Sequence, residues 1–365
     1  MQPTIATFVC VDTNPLDAAS FYPELGGKRS AEVRRAIYWK NVLVFCATAR
    51  RCYPNARIVV GTNDGADFTI GENSAQQFLA RWHVETFFTP FEIYKPPAGA
   101  SASFLNTFYR YDVLRALVPQ LDAHDVLLLM DSDCVWTLSN ADWETIVPPK
   151  TLLTCNPYGA RKPFERHPNH LSRADLGELY QRLDPTYPEK FPDLYGAECI
   201  GGTTETLRVF NAEFERWWNC LNEYARHSAP RLANGGSIFD NDEWALAYVL
   251  NRGLLKTRVN EQFFRRIYTQ EFPNTVRASD LNVSVWHVPG EKERGLPLLF
   301  EQARDNDSMF WRTPLPEFRT CLGGFVGIPR RRHDVPYSRW KRAERHTRAF
   351  ARRLRHYKNL ALAHL

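Results

Sequence analysis

The chain has 365 residues, 44% of them hydrophobic and 13% aromatic, enough for a large buried core and far from the composition of disordered or fibrous proteins. Its formal charge of +5 is uneven: residues 330–365 hold 12 Lys or Arg against Asp334 and Glu344, a net of +10, which leaves −5 on the preceding body. The eight cysteines form no C-x-x-C pair, which argues against a structural zinc site and for buried free thiols, and no apolar run reaches the roughly 20 residues of a membrane-spanning helix.

In chain order, Thr4 to Val11 is β-branched and apolar and stops at the turn cluster Asp12-Thr13-Asn14-Pro15. Ser30 to Cys52 reads as a helix, with Val33, Ile37, Val44 and Ala47 at helical spacings behind a Ser30 N-cap. Arg57 to Gly61 and Val84 to Phe88 read as strands, and a helix is predicted from Ser103 to Leu117. Val126 to Met130 is a continuous apolar run, the signature of a strand covered on both faces. Strands alternating with helices predict βαβ units and a mostly parallel sheet, whose ligands bind beyond the carboxyl ends of the strands. Asp12, Asp64 and Asp131 all fall at such ends.

Residues 150–192, rich in Pro, Arg, His and Tyr, read as an irregular insertion or lid with one short helix at Ala174 to Leu183. Helices are predicted at Thr204 to Arg226 and Asn241 to Asn251, and a strand at Leu281 to Val288. The expected organisation is one α/β domain over residues 1–300, a connecting segment over 301–329, and a C-terminal basic amphipathic helix over 330–365. In that last segment Trp340, Ala343, Thr347, Phe350, Leu354 and Tyr357 recur at spacings of three and four, with Arg and Lys between them. Such a helix can lie on an anionic membrane surface, dock on its own acidic body, or contact nucleic-acid phosphates. With no signal-peptide pattern at the N-terminus, the expected location is cytoplasmic, peripheral on the inner face of the membrane if the tail binds it.

The strongest chemical signal is Asp131-Ser132-Asp133 at the end of the apolar run. Two carboxylates one residue apart at a strand tip can aim at one hard cation, Mn²⁺ or Mg²⁺, which in turn bridges phosphate oxygens. The bland alternative is a solvated turn. This segment resembles the D-x-D motif of nucleotide-sugar glycosyltransferases of the GT-A fold, a Rossmann-like mostly parallel sheet flanked by helices. The upstream run Asn106-Thr-Phe-Tyr-Arg110-Tyr-Asp112-Val-Leu-Arg115 is similar to the helix that contacts the donor in such enzymes, so Arg110, Asp112 and Arg115 become donor-binding candidates, with Asp12 and Ser132. Ordinary i,i+3 charge pairing reads the same residues equally well.

Three further blocks carry the resemblance. Tyr195-Gly196-Ala197-Glu198-Cys199-Ile200-Gly201-Gly202-Thr203 resembles the glycine-containing segment bordering the donor sugar in retaining family 6 enzymes, implying roles for Glu198, Gly201 and Gly202. Asp240-Asn241-Asp242-Glu243-Trp244 resembles that family's acidic helix start, which implies Glu243 as nucleophile or oxocarbenium stabiliser beside Asp242; helix capping explains the same acids. Trp286-His287-Val288-Pro289-Gly290-Glu291-Lys292 resembles the H-x-x-G-x-x-K segment of retaining family 8. That implies His287 as a third metal ligand and Lys292 on the diphosphate, although the lysine comes one residue early and Arg294 follows. Together the motifs imply a metal-dependent, retaining transfer from a UDP-sugar to an acceptor hydroxyl of a lipid-linked or cell-surface glycan. A sugar-phosphate nucleotidyltransferase and a non-catalytic membrane- or nucleic-acid-binding protein stand as rivals. The first would normally carry a glycine- and arginine-rich loop where this chain has Asp12-Thr-Asn-Pro.

Overall fold

The computed structural model describes residues 3–11, 30–97, 105–139, 142–157, 159, 162–165, 171–227, 239, 241–270 and 274–329. Asp12, its turn cluster and the basic segment 330–365 therefore lie outside the described residues. The strands used below are β1 (Thr4–Val9), β2 (Arg57–Thr62), β3 (Val84–Phe88), β4 (Val126–Met130), β5 (Cys134–Trp136), β6 (Thr151–Cys155), β7 (Gly196–Thr203), β8 (Lys256–Val259), β9 (Phe264–Arg266) and β10 (Val285–His287). Seven of them form one sheet in the order β8-β6-β7-β4-β1-β2-β3. Strand β7 runs antiparallel to its two neighbours, and every other pairing in this sheet is parallel. The mostly parallel α/β architecture expected from the alternation of elements is present.

Successive side chains of β4 enter two separate cores, which is why the run is apolar throughout. Leu128 and Met130 join Ile5, Val9, Ile58 and Val60 on one face, under α1 (Ala31–Cys52). Leu127 and Leu129 join Ala6, Val59 and Ile200 on the other, under α2 (Tyr109–Leu117), α3 (Thr204–His227) and α4 (Asp242–Asn251). Burial on both faces removes the period-2 alternation and leaves a continuous hydrophobic strand. Helix α1 is capped as expected, with the Ser30 side chain accepting from the Val33 N–H at 3.2 Å.

Three stretches differ from expectation. Residues 151–155, inside the segment read as an irregular lid, form β6, the second strand from one edge of the sheet, and 196–203, read as a glycine loop, form β7 beside it. Segment 301–329 is no mere connector. Its helix Leu315–Val326 buries Phe318, Leu322 and Val326 in the same core as α1.

The second sheet has three strands in the order β9-β10-β5 and positions the site. β5 begins immediately after Asp133; His287, the last residue of β10, pairs with Cys134 on one side and with Arg266 on the other. Val288 N–H then donates to the Asp133 carbonyl at 3.1 Å. All eight cysteines are free. Among the described residues no helix is long and apolar enough to cross a membrane.

Candidate metal and transfer site

The site lies at the carboxyl end of β4. Asp131 follows the strand directly, and its N–H donates to the Glu198 carbonyl of antiparallel β7 at 3.0 Å, so the far end of β7 meets the same rim. Ligand atoms of Asp131, Asp133 and His287 all lie within 4.8 Å of one another. His287 Nε2 is 3.2 Å from Asp133 Oδ2 and 3.8 Å from Asp131 Oδ2. Two carboxylates and an imidazole converging on one point from strand ends are a donor set that fits a divalent cation such as Mn²⁺. The three residues expected to form a metal shell are thus brought together.

Around this point acids and bases interlock. Lys292 Nζ sits 2.7 Å from Asp133 Oδ2, while Arg294 is exposed, so Lys292 is the lysine of the site despite its early position. Arg110 spans two acids, with one guanidinium nitrogen 2.9 Å from Asp131 Oδ1 and Nε 2.9 Å from Asp242 Oδ2, and it also donates to the Ala197 carbonyl. Arg266 spans another two: it grips both oxygens of Glu198 and reaches Glu243 Oε1 at 2.8 Å. Glu198 in turn approaches His287 Nδ1 at 3.4 Å, the placement of a carboxylate that orients a ligating imidazole from behind. Gly196 makes room for it, since a Cβ there would lie 2.3 Å from Glu198 Oε2 and 2.6 Å from Cys155 Sγ.

These contacts set the protonation states. Burial raises the Asp133 carboxyl, yet Lys292 and His287 together hold it well below the usual range. Burial also raises Glu198, and Arg266 with His287 brings it far down. Asp131 goes the other way. Its burial and the nearby Asp133 outweigh Arg110, and its carboxyl is raised. Asp242, buried beside Glu243 and Asp131, is pushed up to about 6 despite Arg110. Burial disfavours the charged imidazole of His287, but Asp133 and Glu198 lift it to about 9.

Asp242 and Glu243 open α4, where Asn241 is the N-cap: its Oδ1 accepts from the Glu243 N–H at 3.0 Å and its Nδ2 donates to Glu243 Oε2 at 3.0 Å. The Tyr111 hydroxyl donates to the Asp242 carbonyl and the Tyr180 hydroxyl to the Trp244 carbonyl, fixing this helix turn from the core side. Capping and site geometry are therefore both satisfied by the same residues.

Other sequence candidates sit elsewhere. Asp112 is buried and accepts from the Ile93 and Tyr94 N–H groups, each at 3.2 Å, holding a loop rather than facing the carboxylate cluster. Arg115 is exposed, and its charge acts on Asp112. Gly201 lies inside β7, where a Cβ would come within 2.7 Å of Leu128 Cδ2; Gly202 faces Leu207. Their smallness serves sheet packing. Asp64 is bonded by Arg35 and by the Trp39 indole N–H. Ser132 is buried between the two acids of its motif. Arg266 was not singled out by sequence, and its short strand offers no periodic signal to mark it.

No protein-family model and no curated protein sequence matches the chain. Among solved structures, the apo form of mouse xyloside xylosyltransferase 1 is similar at 10% identity, with a TM-score of 0.43 over 79% of this chain and 97% of that one. A likeness at that level carries no argument about activity, so the functional reading stands on the residues of the site.

Proposed function

We propose that the chain is a metal-dependent glycosyltransferase that moves a sugar from a nucleoside diphosphate donor, in the first instance a UDP-sugar, to an acceptor hydroxyl. The observation that carries this reading is the meeting of Asp131, Asp133 and His287, residues from two segments over 150 positions apart, with Lys292 and two arginines around them. These three would hold Mn²⁺ or Mg²⁺, which supplies charge neutralisation for a departing diphosphate. Lys292 offers an ammonium to the same phosphates as a point charge. Glu198 holds the imidazole in place, and Arg266 holds Glu198.

Asp242 and Glu243 are the acids available to the sugar. Glu243, held by Asn241 and Arg266, is the carboxylate assigned to balance positive charge at the anomeric carbon or to attack it, the role that leads to retention. Asp242, tied to the metal-side Asp131 through Arg110, positions that helix turn. Segment 330–365, with its excess of positive charge, is proposed to bring the enzyme to an anionic surface carrying the acceptor.

The test is release of free UDP from a panel of UDP-sugars with and without Mn²⁺. Metal-dependent release that disappears in a folded Asp133→Asn variant supports the transferase. Conversion of UTP or CTP to pyrophosphate instead supports a nucleotidyltransferase, and no turnover of either kind sinks the enzymatic reading.

A further inference from the structure

Beyond the carboxylate cluster, on the far side of Arg266, lies a partly open cavity of about 130 Å³ bounded by Asn156, Val259, Phe264, Arg266, Tyr268 and Arg277. It sits on the same rim: Asn156 follows β6, whose last residue Cys155 pairs with Gly196, and Arg266 ends β9 next to His287. One guanidinium thus forms a wall of the cavity and touches Glu243. A molecule in the cavity is one side chain away from the acid assigned to the sugar.

The lining says what that molecule is. Arg266 and Arg277 together with Arg265 give three cations, yet each already has a carboxylate partner: Arg265 with Asp280, Arg266 with Glu198 and Glu243, Arg277 with Glu261. Those four acids balance and slightly exceed the three arginines, so the cavity exerts no net demand for an anion. What it does present is a set of N–H and O–H groups beside the rings of Tyr268 and Phe264, the mixture that suits a ring bearing hydroxyls on its edge and C–H groups on its face. Its volume is below the roughly 300–1,000 Å³ of drug-sized pockets, which limits the occupant to about one sugar unit.

We infer that this cavity is the acceptor subsite and that it takes a neutral sugar. The inference rests on the transferase reading and adds to it the class of acceptor and the place where it binds.

The test uses the full chain with Mn²⁺, a UDP-sugar that it hydrolyses, and a panel of methyl glycosides, neutral (hexosides and pentosides) and anionic (a glucuronide and a sugar phosphate). UDP release is followed against glycoside concentration. Val259 is 41% exposed at the end of β8, so Val259→Trp fills the cavity without touching the carboxylate cluster. Arg277→Ala opens the exposed 3.2 Å pair with Glu261 at little cost to the fold. The expected result is that a neutral glycoside accelerates release, and that both variants raise its half-saturating concentration, Val259→Trp by about tenfold or more, with basal release unchanged. Unshifted half-saturation in both variants overturns the subsite, as does a panel in which only anionic sugars, or none, stimulate release. Absence of basal UDP release in the wild-type protein instead fails the transferase reading itself, so the two failures are distinguishable.

Discussion

Removing the Arg266 guanidinium should damage both the fold and the metal site, through separate contacts. Arg266 is 14% exposed and neutralises Glu198, whose side chain is 1% exposed, and Glu243, at 11%. Arg266→Ala leaves the Glu198 charge buried without its guanidinium, and breaking a buried pair in this way costs about 3–5 kcal/mol. For 365 residues the unfolding entropy is about 0.8 kcal/mol/K, so the melting temperature should fall by about 4–6 °C. Glu198, freed from its clamp, also ceases to orient His287, and loss of such a supporting contact weakens metal affinity by about 10–100-fold. Arg266→Lys restores one charge but not the two-pronged grip, so it should recover part of the stability and less of the affinity. Thermal unfolding without metal and Mn²⁺ titration calorimetry read the two effects separately. A variant that melts within a degree of wild type and binds Mn²⁺ unchanged would refute the assignment of Arg266 as the clamp.

Three further outcomes follow from the same geometry. Asp133→Asn and His287→Ala should each lower Mn²⁺ affinity by at least about tenfold in calorimetry, since each removes one of three converging ligands. Asp112, pushed up to about 6 by burial, holds its proton more tightly in the folded than in the unfolded chain, so this group weakens the fold as pH rises from about 4 to about 6. Asp112→Asn should therefore melt above wild type at pH 8 and below it at pH 4, where only the lost hydrogen bond counts; parallel curves would show that the carboxyl is not perturbed. Gly201→Ala should destabilise by about 1–3 kcal/mol, because its methyl meets Leu128, while UDP release per folded molecule persists. Loss of release without loss of stability would return Gly201 to the sugar site.

The parts of the fold visible in sequence are those whose pattern is set locally. β4 announced itself because both of its faces are covered, and α1 because its Ser30 cap and apolar spacing coincide. β7 was hidden by its glycines, which read as loop chemistry; only the packing of Leu128 and Leu153 against Gly201 explains why a central strand tolerates them. β6 was masked by its setting, a five-residue run that starts two residues after Pro149 and leads into a polar stretch. The candidate ligands Asp131, Asp133 and His287 were legible because each sits in a short motif beside a strand. Arg266 was not, because its role is set by two acids, Glu198 and Glu243, arriving from two other segments, and no local pattern encodes a demand for charge made from so far away. Asp112 misled for the converse reason: an acid two residues from Arg110 reads as its companion at a donor, while its burial gives it to the backbone of residues 93–94.

The pairing of Cys134 with His287 also orders events during synthesis. A ribosome that has released residues 1–284 has delivered both aspartates but neither the imidazole nor the ammonium of Lys292, and β5 has no strand to lie against. Until the last quarter of the polypeptide emerges, Arg110 is made but Asp133 lacks both Lys292 and His287, at an open strand tip. With these residues as the proposed ligands, ion capture would come late, and a prematurely terminated product would be recognisable by its failure to be stabilised by a divalent cation.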